Sequence, residues 1–481
     1  MKNYLSIDQG TTSSRAIVFD SNLSPLRESQ KEYDLSYPRD GWVEGNPSDI
    51  IETVKKTVED VLKNHDDIKA CGITNQRETT VIWSKKTGEP IYPAIVWQDR
   101  RTSDLCNKLK SDGYEKMVSE KTGLLLDPYF SGTKIKWILD NVDGARNMAE
   151  KGELLFGTID TYLIYKLSKE KNHLTDVTNA SRTLLFNIKT MEWDKDLLDL
   201  FNIPISMMPD VLACDENFGT LSVGSKKIPI RGVIGDQQSA LVGQNCFNKG
   251  DMKSTYGTGC FLMVNTEDDP VSIKEGLLTT IAYKLNGKIH YAIEGSIYSC
   301  GNIIKWLRDE MKFFKNADES EFFLDKTGNS NNILFLPAFN GLGAPYWNSD
   351  IRGGFYGITQ DTSIKDMTTA CFLAITFQTK EISSILEKYN IEINNLLIDG
   401  GMANNGKFCQ VLADTLQKKI LRPNNVESTA LGACKVAMIG SGENIDEIPE
   451  SILTTFANNQ KLSERYEEDF SIWRKYLSNS L

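Results

Sequence analysis

The stretch LSIDQGTTSSRAIVFD, Leu5 to Asp20, governs how the rest of the chain is read. An apolar run climbs to Asp8, a Gln-Gly-Thr-Thr-Ser-Ser turn follows, and from Arg15 a second apolar run continues to Phe19. The pattern predicts two strands joined by a turn longer than the Asn-Gly type that merely closes a hairpin. A loop of backbone donors and hydroxyls behind a carboxylate suits a phosphate and its metal ion.

The same pattern returns in MKSTYGTGCFLMVNT, Met252 to Thr266, as strand, Gly-Thr-Gly turn and strand. Two further Gly turns, Gly235-Asp236-Gln237 and Gly400-Gly401, also close apolar strands. Any one of these turns alone reads as a simple hairpin or loop. Four at strand ends suggest a shared cleft, because glycine lets the main chain approach phosphate oxygens and open α/β sheets bind ligands there.

A chain of 481 residues exceeds one compact core, so two or three domains are expected. Strand and helix patterns alternate over residues 1–244 and begin again over 245–440. The polar segment 441–481 predicts a peripheral helical tail. PSDIIETVKKTVEDVLKNH, from Pro47, reads as an amphipathic helix, and SIYSCGNIIKWLRDEMKFF, Ser296 to Phe314, as a long one.

A net charge of −11 and a pI near 5.1 argue against nucleic acid or an anionic membrane as partner. No run reaches the roughly 20 apolar residues of a membrane span, so no membrane insertion is expected. There is no secretory pattern at the start, and the nine scattered cysteines predict reduced thiols in the cytoplasm. His65, His173 and His290 are far apart, which disfavours a histidine metal site or a Ser-His-Asp triad. Neither a P-loop nor a Rossmann fingerprint is present.

DQGTTSSR, GITNQRETT, IVWQDRRT, DPYFSGTKIKWIL, GDQQSALVGQ, TYGTGCF and GLGAPYW resemble, in order and spacing, the motifs of the glycerol kinases. These belong to a wider carbohydrate-kinase family with the actin-like ATPase fold, and the resemblance runs from about residue 4 to about 440. It implies an α/β fold class: two actin-like, ribonuclease H-like domains with a ligand cleft between them, acting on glycerol with ATP and Mg²⁺. The first domain would hold polyol and phosphate, and the second the nucleotide. Position by position, it implies that Arg77, Glu78, Tyr129, Asp236 and Gln237 hydrogen-bond glycerol. Trp97 and Phe261 would cover its carbon face, and Asp236 would be the general base. Asp8 would hold the metal through water. Thr11, Thr12, Ser13, Arg15 and Thr258 would meet the phosphates, and Gly301, Gly401 and Asn405 would line the nucleotide pocket.

Taken singly, the residues read otherwise. Arg77-Glu78 is also what a surface ion pair looks like, Trp97 and Phe261 suit a core, and Asp236 suits a turn cap. Lys305 departs from the Gln usual at its position, which leaves a nucleotide role open against a solvated helix lysine. LSVGSKKIPIRG lacks the Gly-rich, Arg-containing loop that binds fructose bisphosphate in regulated relatives. A homo-oligomer, dimer or tetramer, is the family's habit. The competing readings are a kinase for another small polyol or triose, and an actin-like switch ATPase.

Overall fold

The computed structural model describes residues 2–63, 67–324, 330–339, 341–348, 350–424, 427–449 and 452–481. His65 lies outside the described residues. Two mixed sheets carry the molecule. In the first, the strand order is Gly219–Val223, Lys226–Gly235, Ile68–Asn75, Asn3–Gln9, Ser13–Phe19 and Pro25–Glu32. The three strands at its centre run parallel, and the flanking ones antiparallel.

The second sheet repeats the scheme. Asp251–Tyr256 pairs antiparallel with Cys260–Glu267 and parallel with Asn395–Asp399, as Asn3–Gln9 does with Ser13–Phe19 and Ile68–Asn75. The predicted duplication is therefore a duplication of topology. The opening turn is shorter than the sequence suggests. Ser13 and Ser14 already pair in the second strand, Ser14 opposite Gln9, which leaves Gly10, Thr11 and Thr12 as the turn.

Helix Pro47–Leu62 starts at Asn46, whose side chain accepts from the Ser48 amide, with Pro47 in the first turn. Its buried Ile50, Val54, Val58 and Val61 recur at helical spacing and pack on the first sheet. Helix Ile364–Lys388 opens with a capping box between Ser363 and Asp366 and crosses the core of the second half.

Two expectations need correcting. Residues 296–314 are not one long helix: strand Lys288–Ile297 takes Ser296 and Ile297 into pairing with Phe261 and Cys260, and the helix spans only Gly301–Asp309. Cross-strand pairing overrides the local helical pattern there. Residues 441–481 are not a peripheral tail either. Leu453–Phe456 extends the second sheet beside Ile420–Pro423, and helix Gln460–Ser480 buries Tyr466, Phe470, Trp473 and Leu477 in that core. A hydrophobic face every three to four residues is present in that polar segment, at low density.

Helix Ser428–Gly440 joins the halves. Its apolar residues share one buried cluster with Tyr4 and Ile234 of the first sheet and with Met263 and Leu397 of the second. Glycines permit the approach: a Cβ on Gly72 would lie 2.0 Å from the Ala433 carbonyl oxygen, and one on Gly432 would lie 1.8 Å from that of Ser239. Among the described residues no helix is long and apolar enough to cross a membrane.

Gly432→Ala separates propensity from packing. Alanine gains about 1 kcal/mol as a helix former, whereas the contact with Ser239 forces the helix off its neighbour at about 1–3 kcal/mol. A lower Tm than the parent is expected in thermal denaturation, and an equal or higher one would refute this account of the joint.

Candidate functional site

The three parallel strands of the first sheet end in register. Gln9 lies opposite Asn75, which lies opposite Gly235. Each strand gives way at once to a segment holding predicted residues: the Gly10–Thr12 turn, then Gln76-Arg77-Glu78, then helix Asp236–Gly243. The fold thus brings Asp8, Thr11, Arg77, Glu78, Asp236 and Gln237 to one edge of one sheet.

Arg77 is the hub, only 2% exposed. Its Nε lies 3.2 Å from Asp236 Oδ1. Its Nη1 donates to Glu294 Oε2 at 2.6 Å and to Gln238 Oε1 at 3.1 Å, while Nη2 donates to Glu294 Oε1 at 3.2 Å and to the Tyr129 hydroxyl at 3.5 Å. Beside it, Glu78 takes a left-handed backbone with φ of 60°. Glu78 Oε1 accepts from Arg182 Nε at 2.7 Å, and Arg182 Nη2 reaches Glu294 Oε1 at 2.8 Å. Arg77-Glu78 is therefore a buried pair within a larger charge network, not a surface pair.

Aromatic rings wall this polar floor. Trp97 packs edge-on against Tyr129 at 5.6 Å and against Phe261 at 6.0 Å between centroids. Phe261 comes from the second sheet, so both halves contribute to this aromatic wall. Lys253, fully buried on the first strand of the second sheet, donates to Gln237 Oε1 and, at 3.1 Å, to Thr255 Oγ1. With its oxygen occupied, the Gln237 carboxamide has its NH₂ to offer a ligand.

The Gly10 turn is braced from behind. The Gly10 carbonyl accepts from Gln9, Gln76 and Tyr33 side chains at 2.6, 3.1 and 2.7 Å. Trp97 Nε1 donates to Thr11 Oγ1 at 2.9 Å, which ties the aromatic wall to this turn. Thr12 is exposed, and Ser13 Oγ accepts from Gln30 at 3.0 Å. Arg15 differs from its expected role: its guanidinium pairs with Glu427 and donates to Gln30 Oε1 at 2.8 Å, so its charge is already matched.

In the second half, Thr258 is exposed in the turn after Tyr256, and its carbonyl accepts from the Cys300 and Asn302 amides at 3.2 Å. The Gly301 amide donates to the Gly257 carbonyl at 2.9 Å. Gly400, with φ of 86°, lets the chain pass where a Cβ would lie 2.5 Å from the Tyr256 carbonyl oxygen. Gly401 is exposed beside it, with no atom within 4 Å of a Cβ placed there. Asn405 spends its side-chain oxygen capping helix Gly406–Leu416. Lys305 is exposed on helix Gly301–Asp309.

Burial pushes the Asp236 carboxyl up, against the opposing pull of Arg77 and Lys253. Asp8, partly buried, is pushed up to about 7 by burial and by the neighbouring Asp236 charge, with Arg15 opposing. Asp236 already faces Arg77 at 3.2 Å, so Asp8 is the carboxylate with charge to offer a divalent ion between protein and phosphate. Among the described residues no group of three or more His, Cys, Asp or Glu could hold a metal by itself. Mg²⁺, bound by one or two carboxylates with water and phosphate, needs none, and the donor set fits it.

Glu294, Arg182 and Lys253 escape the sequence reading. The available signal is a charge inside an apolar strand, as in AIEGSI and DMKSTY, which burial would leave unmatched without a partner.

The two domain descriptions of the FGGY family of carbohydrate kinases match residues 3–243, N-terminal, and 252–441, C-terminal. Similar proteins include a glycerol kinase of Alteromonas mediterranea, 47% identical over 480 residues and 97% of each chain. Another is a glycerol kinase of Clostridium perfringens, 46% identical over 493 residues, covering 100% of this chain and 99% of the relative. A crystal structure of Plasmodium falciparum glycerol kinase with ADP superposes with a TM-score of 0.93 at 35% identity, covering 100% of this chain and 98% of that one.

Burial would raise the Glu294 carboxyl, but Arg182 and Arg77 more than offset it and hold it near 2, below the usual 4.5. A depressed carboxyl stabilises the fold fully above its unfolded pKa and loses that contribution as pH falls toward the folded one. The stability gap between parent and Glu294→Gln, measured by urea denaturation, is expected to be constant from pH 7 to pH 5. It should shrink below about 4.5, and a gap that widens on acidification would overturn the assignment.

Proposed function

Because the chain belongs to the FGGY family of carbohydrate kinases, we propose that it transfers the γ-phosphoryl group of ATP to glycerol, forming sn-glycerol 3-phosphate. One observation carries the choice of acceptor: Arg77, Glu78, Asp236 and Gln237 are gathered beside the rings of Trp97, Tyr129 and Phe261. Each hydroxyl of a polyol is donor and acceptor together, so carboxylates take its protons and Arg or amide N–H groups meet its oxygens. Rings over the C–H face limit the length of the acceptor.

In this reading Asp236 orients the terminal hydroxyl and accepts its proton as bonding to phosphorus acidifies it. Its side chain is 30% exposed, open to the cleft, while Arg77 fixes one of its oxygens at 3.2 Å. Thr11, Thr12, Ser13 and Thr258 offer hydroxyls and amides to the phosphates from both halves, and Gly301, Gly401 and Asn405 border the nucleotide. Arg15, matched by Glu427, would have to exchange that partner to reach phosphate. Asp8 would hold Mg²⁺, which when bound would supply neutralisation of the triphosphate charge, the help that phosphoryl transfer requires more than covalent chemistry. Contacts from both halves favour closing the cleft on ATP, which keeps water from competing with the acceptor.

The division into 1–244 for polyol and phosphate and 245–440 for nucleotide is part of this proposal. Nine buried cysteines without a disulfide support a reducing, cytoplasmic setting. A homo-oligomer rests on the family resemblance alone.

The test is ADP release from Mg-ATP with glycerol, dihydroxyacetone, xylulose, gluconate or no acceptor. Turnover with glycerol is expected to dominate, and Asp236→Asn to lower kcat by about 10²–10⁴-fold. Acceptor-independent turnover would indicate a switch ATPase, and a preference for xylulose or gluconate would overturn the polyol reading.

A further inference from the structure

We propose that Arg182 and Glu294 are positioning residues that hold Arg77 and Glu78 in the geometry that receives the substrate's hydroxyls. The inference deepens the reading above and rests on its assignment of Arg77 and Glu78 to the polyol. Both residues are fully buried and belong to no motif of the sequence analysis.

Arg182 ends a short segment whose side chains reach the loops that carry Arg77, Glu78 and Asp236. Within it, Thr178 Oγ1 accepts from the Gly235 amide at 2.8 Å, at the entry to Asp236. Asn179 exchanges hydrogen bonds with Asn75 at 3.0 and 3.1 Å, two residues before Arg77. Asp176 caps the segment, accepting from the Thr178 amide and hydroxyl at 2.8 and 2.6 Å. Arg182 then forks between Glu78 and Glu294 at 2.7 and 2.8 Å. Its Nη1 is buried with no hydrogen-bond partner among the described residues, and the guanidinium lies over the rings of Tyr129 and Phe130 at 5.7 and 5.2 Å, so the two carboxylates and these rings set its orientation.

Glu294 arrives from the other half, mid-strand and opposite Met263 in the second sheet. It takes the two terminal nitrogens of Arg77 as a fork, at 2.6 and 3.2 Å. Arg77 has rival acceptors in Asp236 at 3.2 Å and Glu78 at 3.8 Å. Without Glu294 the guanidinium would turn onto those two carboxylates and occupy the oxygens that the substrate's hydroxyls need. Without Arg182, Glu78 would lose the contact that fixes the rotation of its carboxylate.

Steady-state kinetics on the full chain, varying glycerol and ATP separately, tests this, with Tm recorded for each variant. Glu294→Gln and Arg182→Gln are expected to raise KM for glycerol about tenfold or more, the loss expected of a charge-assisted hydrogen bond. KM for ATP should stay within about twofold. The double variant removes one charge of each sign, so it should recover Tm while KM for glycerol remains high. If Glu294→Gln does not accumulate as folded protein, Arg182→Lys, which keeps the charge and loses the fork, carries the same comparison. Parallel rises in both KM values, or a double variant that recovers KM for glycerol together with Tm, would mean a purely structural pair and overturn the proposal. An unchanged KM for glycerol in Glu78→Gln would instead overturn the polyol assignment on which the proposal rests.

Discussion

A buried guanidinium cannot be left unmatched, and much of this molecule can be understood from how Arg77 is matched. Removing one partner from a buried ion pair costs about 3–5 kcal/mol, because the remaining charge has neither water nor partner. Arg77 and Arg182 face Glu78 and Glu294, two charges of each sign, and Asp236 and Lys253 add one more of each. Three of these six groups come from the first sheet or the loops leaving it, Arg182 from a neighbouring segment, and Glu294 and Lys253 from the second sheet. The charges balance within each half, but the contacts cross between them: Glu294 pairs with Arg77 and Arg182, and Lys253 donates to Gln237, so the network links the two sheets at this point.

The backbone makes that approach possible. Helix Ser428–Gly440 follows strands of the second sheet yet lies on the first, against Gly72 and Gly232, and against Gly243 at the end of helix Asp236–Gly243. Its contacts are main chain on main chain, so the joint tolerates little displacement. The joint and the charge network hold the group around Arg77, while the turns at Gly10–Thr12 and Gly257–Gly259 carry exposed residues, Thr12 and Thr258. On the proposed function, rigidity beside the acceptor and openness beside the nucleotide suit a site that must orient one small molecule and admit a larger one.

Local pattern made much of this legible. The strand–turn–strand units at Leu5 and Met252 announced the duplicated sheets, because apolar alternation ended by glycine depends only on neighbouring residues. The motifs around Arg77, Trp97, Tyr129 and Asp236 pointed to residues that the fold does gather. What stayed hidden depends on distant pairing. Ser296 and Ile297 read as helix until their strand partners Phe261 and Cys260 claim them. Helix Gln460–Ser480 read as peripheral because its four buried apolar side chains are diluted among charged ones. Glu294, Arg182 and Lys253 have meaning only across the two sheets, and no local signal says which charge each will meet.

The exposure of the six charged groups follows the chemistry proposed for them. Arg77, Glu78, Arg182, Glu294 and Lys253 have 2% of their surface exposed or less, whereas the Asp236 side chain keeps 30%. A group that only orients others works best sealed, since low dielectric strengthens its bonds and water cannot compete for them. A group that must take a proton from an arriving hydroxyl has to stay reachable, and its charge has to be restrained by neighbours rather than cancelled. Arg77 does this for Asp236 through one nitrogen while Glu294 holds its other two. Were Arg77 free to form a full fork on Asp236, both carboxylate oxygens would be spent and none would remain to act as base. The sealed Glu294 therefore keeps the open carboxylate available for reaction.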